Sequence, residues 1–296
     1  MTTEGPAMQP QAERIRCRQI AADDLDALAH LLAKGFPERP IAYWRSALRV
    51  LKDRDAPASF PRFGYLLEAG DAIVGVILLI FTKVQEDEDR PVRCNVSSWY
   101  VEPAYRLHAT AMISAALRFK NVTYLNISPA PHTWPILEAQ GYRRYTEGQF
   151  LSLPALSFAG LGAKVRAYDK ARDDANLTPV EAGLMSDHAA RGSLALVCRR
   201  GGEVIPMVFT RRPMRYAAAA VQLTYCRDTA DFIRNAGAIG RFLARRGIAL
   251  VFSDGEGPIA GLIGRFLKDR QPKYFRGADR PRPNDLAYTE AVLFGL

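Results

Sequence analysis

The sequence predicts two tandem copies of one mixed α/β fold, each a mostly antiparallel sheet flanked by helices. Three observations predict it. Apolar runs of strand length alternate with segments of helical apolar period in the order β-α-α-β-β-β-α-β-α-β over residues 14–155. The same grammar returns over residues 178–296. Each stretch also carries a hairpin signal between apolar strands, Gly70-Asp71 in the first and Gly201-Gly202 in the second. At 296 residues the chain has room for two ordinary domains. Its 48% hydrophobic and 24% charged residues exclude a disordered chain.

Residues 1–13 read as a loose tail, and Arg14–Ile20 alternates as a first strand. Ala22-Asp23-Asp24 opens a helix whose Leu25, Leu28, Leu31 and Leu32 share one face. Pro37 and Pro40 break it, and Ile41–Leu51 is a second helix. Phe63–Glu68 and Ala72–Val84 are strands, Asp87–Pro91 an acidic loop, and Arg93–Val101 the next strand. The apolar spacing then predicts a helix over His108–Lys120, with Ala109, Met112, Ile113, Ala116 and Leu117 facing inward. Val122–Ile127 is a strand. Thr133 caps a helix over Trp134–Gln140 that Gly141 stops, and Tyr142–Leu153 returns as a strand.

Residues 156–177 hold a linker, marked by Gly160 and Gly162, and a strand at Lys164–Tyr168. In the second copy Thr178-Pro179 starts a helix running to Ala190. Leu194–Arg199, Glu203–Thr210 and Ala218–Cys226 are strands. Asp228–Arg246 is one long helix ended by Gly247, and Ile248–Ser253 a strand. Pro258–Lys268 is a helix, and Tyr274-Phe275 with Tyr288–Phe294 close the sheet.

The longest apolar run, Ala72–Phe81, is about half of what a membrane helix needs. With no apolar signal core in residues 1–14, the expectation is a cytoplasmic protein without a membrane partner. Cys17, Cys94, Cys198 and Cys226 are widely spread in or beside apolar segments and read as reduced, buried thiols. His30, His108, His132 and His188 form no cluster, so no metal is expected. The net charge of +9 is scattered over short runs such as Arg199-Arg200, which reads as an Arg-rich surface and argues against a nucleic-acid partner.

The segment richest in chemical meaning is Trp99-Tyr100-Val101-Glu102-Pro103, followed by Arg106-Leu107-His108-Ala109-Thr110-Ala111. A strand that hands over to a helix N-terminus aims several backbone N–H groups at one spot, where an anion can sit. Tyr100–Ala111 is similar to the acyl-CoA pattern Q/R-x-x-G-x-G/A of GNAT-type (Gcn5-related) N-acyltransferases. Ile136-Leu-Glu-Ala-Gln-Gly-Tyr142 is similar to a later helix-Gly-aromatic segment of that family. The resemblance covers residues 14–153, and residues 164–296 echo its element order alone.

The resemblance implies acetyl-CoA or another acyl-CoA as co-substrate and an amine of a small molecule or protein as acceptor, in a monomer or homodimer. Trp99, Tyr100 and Val101 would pair with the pantetheine arm. Arg106 and the N–H groups of Leu107, His108, Ala109, Thr110 and Ala111 would hold the pyrophosphate. Ala109 stands where the pattern has its first Gly. The family's general-acid tyrosine falls at Leu137, a frequent asparagine at Ala130, and the strand glutamate base near Asn95, which cannot accept a proton at neutral pH. Candidate replacements are Glu102 at the strand end, His132 in a loop, and Asn126 and Ser128 at the end of a strand. A positioned neutral amine attacks a thioester with little base help.

In the second copy, Asp228 and Asp231 occupy the equivalent turn, where like charge disfavours an anion, and Asp228 reads as a helix N-cap. That half is therefore expected to be degenerate and to shape the substrate groove. Two other readings stay open: a non-catalytic tandem module that binds a ligand or protein, and an aminoacyl-tRNA-dependent transferase.

Overall fold

The computed structural model describes residues 14–83, 92–212 and 219–295. The expected tail over 1–13 and acidic loop over 87–91 lie outside them. The first half runs β1 (Ile15–Gln19), α1 (Leu25–Gly35), α2 (Ile41–Asp53), β2 (Gly64–Ala69), β3 (Ala72–Thr82), β4 (Val92–Val101), α3 (Ala109–Ala116), β5 (Val122–Asn126), α4 (Trp134–Ala139) and β6 (Arg143–Ser152). The second runs β7 (Lys164–Ala167), α5 (Lys170–Asp173), α6 (Pro179–Ala190), β8 (Leu194–Arg200), β9 (Glu203–Arg212), β10 (Ala219–Cys226), α7 (Thr229–Arg234), α8 (Ala236–Ala244), β11 (Ile248–Gly255), β12 (Gly264–Arg276) and α9 (Glu290–Leu293).

All twelve described strands join one sheet in the order β1-β2-β3-β4-β5-β12-β6-β11-β10-β9-β8-β7. The order is a palindrome: exchanging each strand with the one six places on reverses the sequence and leaves it unchanged. β4–β5 and β10–β11 are parallel, and the remaining neighbours are antiparallel. The centre is an exchange. β12 of the second half pairs with β5 of the first, and β6 of the first half pairs with β11 of the second.

Side chains alternate across the strands, so each half has two cores. Along β3, Val76, Leu78 and Ile80 pack under α1 and α2 with Leu28, Leu32, Trp44 and Leu48. Ile77, Leu79 and Phe81 face the other way, with Met112 and Ala116 of α3 and Leu137 of α4. In the second half Val221 and Leu223 meet Phe232, Ile239 and Leu243 of α7 and α8. Val197 and Val208 meet Leu184 and Met185 of α6 on the opposite face. α8 lies against the connecting segment 154–159 so closely that a Cβ on Gly240 would fall 2.1 Å from the Ala155 amide nitrogen.

Four expected elements differ. The helix over 108–120 starts at Ala109 and ends at Ala116, because Pro103–His108 forms a 3-10 turn first. The helix over 228–246 breaks at Asn235, whose side-chain amide donates back to the Asp231 carbonyl. Pro258–Lys268 is no helix: from Gly264 the chain pairs along β6, and this ladder outweighs the helical period of Ile259, Leu262, Phe266 and Leu267. Tyr288–Phe294 holds helix α9 instead of a closing strand, since a short apolar run fits either element. Thr133 makes no cap bond; its hydroxyl donates to the Ala130 carbonyl. Asp228 does cap α7, accepting from the Ala230 amide at 2.9 Å. Cys94, Cys198 and Cys226 are buried free thiols and Cys17 is half-buried.

Candidate active site

The parallel pair β4–β5 stays together only from Val92–Val122 to Asn95–Leu125. Beyond Asn95, β4 bonds only to β3, with an extra residue near Ser98, whose φ of 47° is left-handed. The bulge tilts β4 away and the two strands part. A cavity of about 460 Å³ fills the gap, lined by Phe36, Tyr43 and Trp44 from one face of the sheet and by Ile113, Ala116 and Leu137 from the other. The opening therefore passes through the sheet.

Glu290 stands in its wall. It is the first residue of α9, delivered by the last stretch of the described chain. Its carboxylate accepts hydrogen bonds from the Ser97 hydroxyl on β4 and the Ser128 hydroxyl after β5. Its backbone N–H donates to Asn95 Oδ1 at 2.8 Å. Burial raises the Glu290 carboxyl above the ordinary carboxylate range, against the two serine hydrogen bonds and the Lys273 charge, which pull it down. The position where the resemblance expects a glutamate thus holds Asn95, whose side chain steadies the helix that brings one.

On the second-half side the cavity is polar. Lys273, buried, donates to the Ile127 carbonyl at 3.1 Å and the Gln271 carbonyl at 3.2 Å, and lies 3.3 Å from Asp254 Oδ1. Gln149 donates to Gln222 Oε1 and Asp254 Oδ1. Arg212 donates to the side-chain oxygens of Gln149, Gln222 and Gln271. Burial, then the like charge of Arg270, lowers the Arg212 guanidinium from its ordinary value.

The expected residues divide. Trp99, Asn126, Ser128 and His132 line the cavity, as do Leu137, Ala130 and Gln149. The buried Nε1–H of Trp99 has no partner among the described residues. Tyr100 turns to the opposite face, with its ring 6.3 Å from that of Phe36 and tight over Gly35. Val101 is buried in the α3 core. Glu102 does not line the cavity; it accepts from Lys34 at 2.6 Å near the surface. Arg106, Leu107 and His108 are exposed in the 3-10 turn, and Ala109, Thr110 and Ala111 open α3. Of the amides expected to hold the diphosphate, that of Ala109 bonds back to the Arg106 carbonyl.

Sequence reasoning missed Glu290, Ser97, Lys273, Arg212, Gln149, Gln222 and Gln271. A signal for Glu290 existed: Thr289 followed by Glu290 and an apolar run is also a helix start.

The second half repeats the geometry without the opening. β10 and β11 pair to Gln222–Phe252 and then part. Residues 284–286 fill that gap. The Cys226 amide donates to the Asn284 carbonyl at 3.2 Å, the Leu286 amide to the Thr224 carbonyl at 2.8 Å, and Tyr225 bridges Asp285. The Asn284 side chain bonds both the amide and the carbonyl of Asp254 on β11.

No family model matches the chain, and no curated protein matches its sequence. Solved structures do match its fold. A GCN5-related N-acetyltransferase from Kribbella flavida aligns with 90% of this chain and 71% of its own, at 15% identity and a TM-score of 0.55. One from Anabaena variabilis aligns with 89% and 72%, at 10% identity and 0.57. A putative acetyltransferase from Pyrococcus horikoshii aligns with 97% of both chains, at 11% identity and 0.51. The fold is that of the GCN5-related N-acetyltransferases. No helix among the described residues is long and apolar enough to cross a membrane, and no group of three or more His, Cys, Asp or Glu there could hold a metal ion.

Proposed function

We propose that the protein is an acyl-CoA-dependent N-acyltransferase whose single working site is the opened β4–β5 cleft, acting on an amine of a small molecule or protein. The observation that carries this reading is the cavity passing through the sheet where β4 and β5 part. The pantetheine arm would lie along Trp99–Val101 and bond to the free edge of β4 as an added strand does. Its diphosphate would rest at the turn of Arg106 and the first amides of α3, Leu107 to Ala111. The thioester then meets an amine entering from the α1–α2 side.

Glu290 acts as the base. As the amine nitrogen bonds to the acyl carbon and the C–S bond breaks, the amine's proton passes to Glu290 and the departing sulfur takes a proton back. A buried carboxylate with a raised pKa suits that task near neutrality. Ser97 and Ser128 hold the carboxylate in place, and Asn126 and His132 line the acceptor's path. The filled second cleft supports a non-catalytic role for the second half.

Calorimetry with acetyl-CoA and longer acyl-CoAs tests the reading; absence of binding at millimolar ligand overturns it. In thioester-turnover assays E290Q is expected to lower kcat about 100- to 10,000-fold. It is also expected to remove the limb of the pH profile that rises above the ordinary carboxylate range.

A further inference from the structure

The cavity's charges are unevenly placed. Glu38 and Arg39 are sequence neighbours in its wall, and Lys273 faces Asp254. Glu290 is the acid at the reacting end. Arg212 makes no ion pair among the described residues: its three hydrogen bonds there go to neutral side-chain amide oxygens, at 2.9, 3.3 and 2.9 Å, and the carboxylate that acts on it, Asp254, is held off behind Gln149 and paired with Lys273. A second guanidinium converges on the same place. Arg212 lies 4.9 Å and Arg270 5.0 Å from the centre of the buried Phe252 ring. Two cations kept together without a carboxylate paired to either repel one another, and a partly buried guanidinium fixed by three amides presents its remaining N–H groups in a set direction.

Resting on the acyltransferase reading, we propose that the acceptor is an amine that also carries an anionic group, and that Arg212, assisted by Arg270, holds that group while the amine reaches Glu290. The chain of contacts from Arg212 through Gln271, Lys273 and Ile127 to Ser128 joins the two ends along one wall. A carboxylate suits the guanidinium fork best, because two parallel N–H···O bonds fix its orientation.

The test is an acceptor panel with acetyl-CoA: glycine, β-alanine, 4-aminobutyrate and 6-aminohexanoate, each beside its carboxamide and the aminoalkyl phosphate of matching length. The acid of the favoured length is expected to exceed its amide at least tenfold in kcat/KM. An advantage of the phosphate over the carboxylate would keep the anion site and reassign the anion. Amides turned over as well as acids and phosphates would overturn the proposal while leaving the acyltransferase standing; failure to bind acetyl-CoA removes both. R212Q is expected to collapse the ratio of acid to amide, and an unchanged ratio overturns the assignment. Should that variant not fold, R270Q on the surface is expected to lower the ratio severalfold, and no change there counts against the pair.

Discussion

The two places where parallel strands part differ in one respect: the β4–β5 gap holds a cavity, and the β10–β11 gap holds the chain's own residues 284–286. Both begin from the same strand order and both offer backbone groups to an added strand. In the second half the added strand is internal. Asn284 satisfies β10 with its carbonyl and β11 with its side chain, at a φ of 59° that asparagine adopts more readily than most residues. Asp285 reaches across to Arg93 of β4 at 2.9 Å. Five residues after it, the segment has arrived in the open gap as Glu290. The difference teaches that closing one cleft can equip the other: the segment closing the second cleft is the one that brings a carboxylate to the first.

Four substitutions or titrations test that contrast. The largest effect is expected where the closed half meets the cavity. K273M leaves Asp254 buried without its cation and is expected to cost about 3–5 kcal/mol in chemical denaturation. A second test uses acid. The buried His188 accepts from the Tyr288 amide, in the segment between the two clefts. Burial lowers its pKa to about 4, against about 6.5 unfolded. Above pH 6.5 both states are neutral. As pH falls below that, the unfolded chain binds the proton first, so stability is lost progressively down to about pH 4. The expected loss is about 3 kcal/mol by thermal or urea unfolding, and H188Q is expected to flatten that slope.

N284A leaves the Asp254 amide and carbonyl buried without their partner, and is expected to cost about 2 kcal/mol. Because this clamp lies upstream of Glu290, kcat is expected to fall as well; full activity would separate the plug from the base. The smallest effect belongs to the open side. E102Q disturbs only a surface ion pair with Lys34, and is expected to leave both the denaturation midpoint and turnover unchanged.

Much of this was legible beforehand. The Gly70-Asp71 and Gly201-Gly202 hairpins, the order of the first ten elements and the Asp228 cap follow from local pattern and turn chemistry, which operate over a few residues. What failed depends on distant partners. The start of β12, up to Lys268, read as a helix because its apolar spacing is locally helical, and only the edge of β6 makes it a strand. The site divided the same way. Trp99 and Ser128 lie on elements the sequence located, whereas Glu290 is bound by Asn95, Ser97 and Ser128, 162 to 195 residues away. No window on the sequence contains that contact.

The exchange at the centre of the sheet also sets an order of assembly. β5 acquires its second neighbour only when Tyr274–Arg276 leave the ribosome, long after β5 itself has been made. Until then the nascent first half carries an open strand edge beside an apolar face, the situation that invites pairing with a wrong chain. Synthesis that stops short of β12 therefore leaves an incomplete first half as well as an incomplete second.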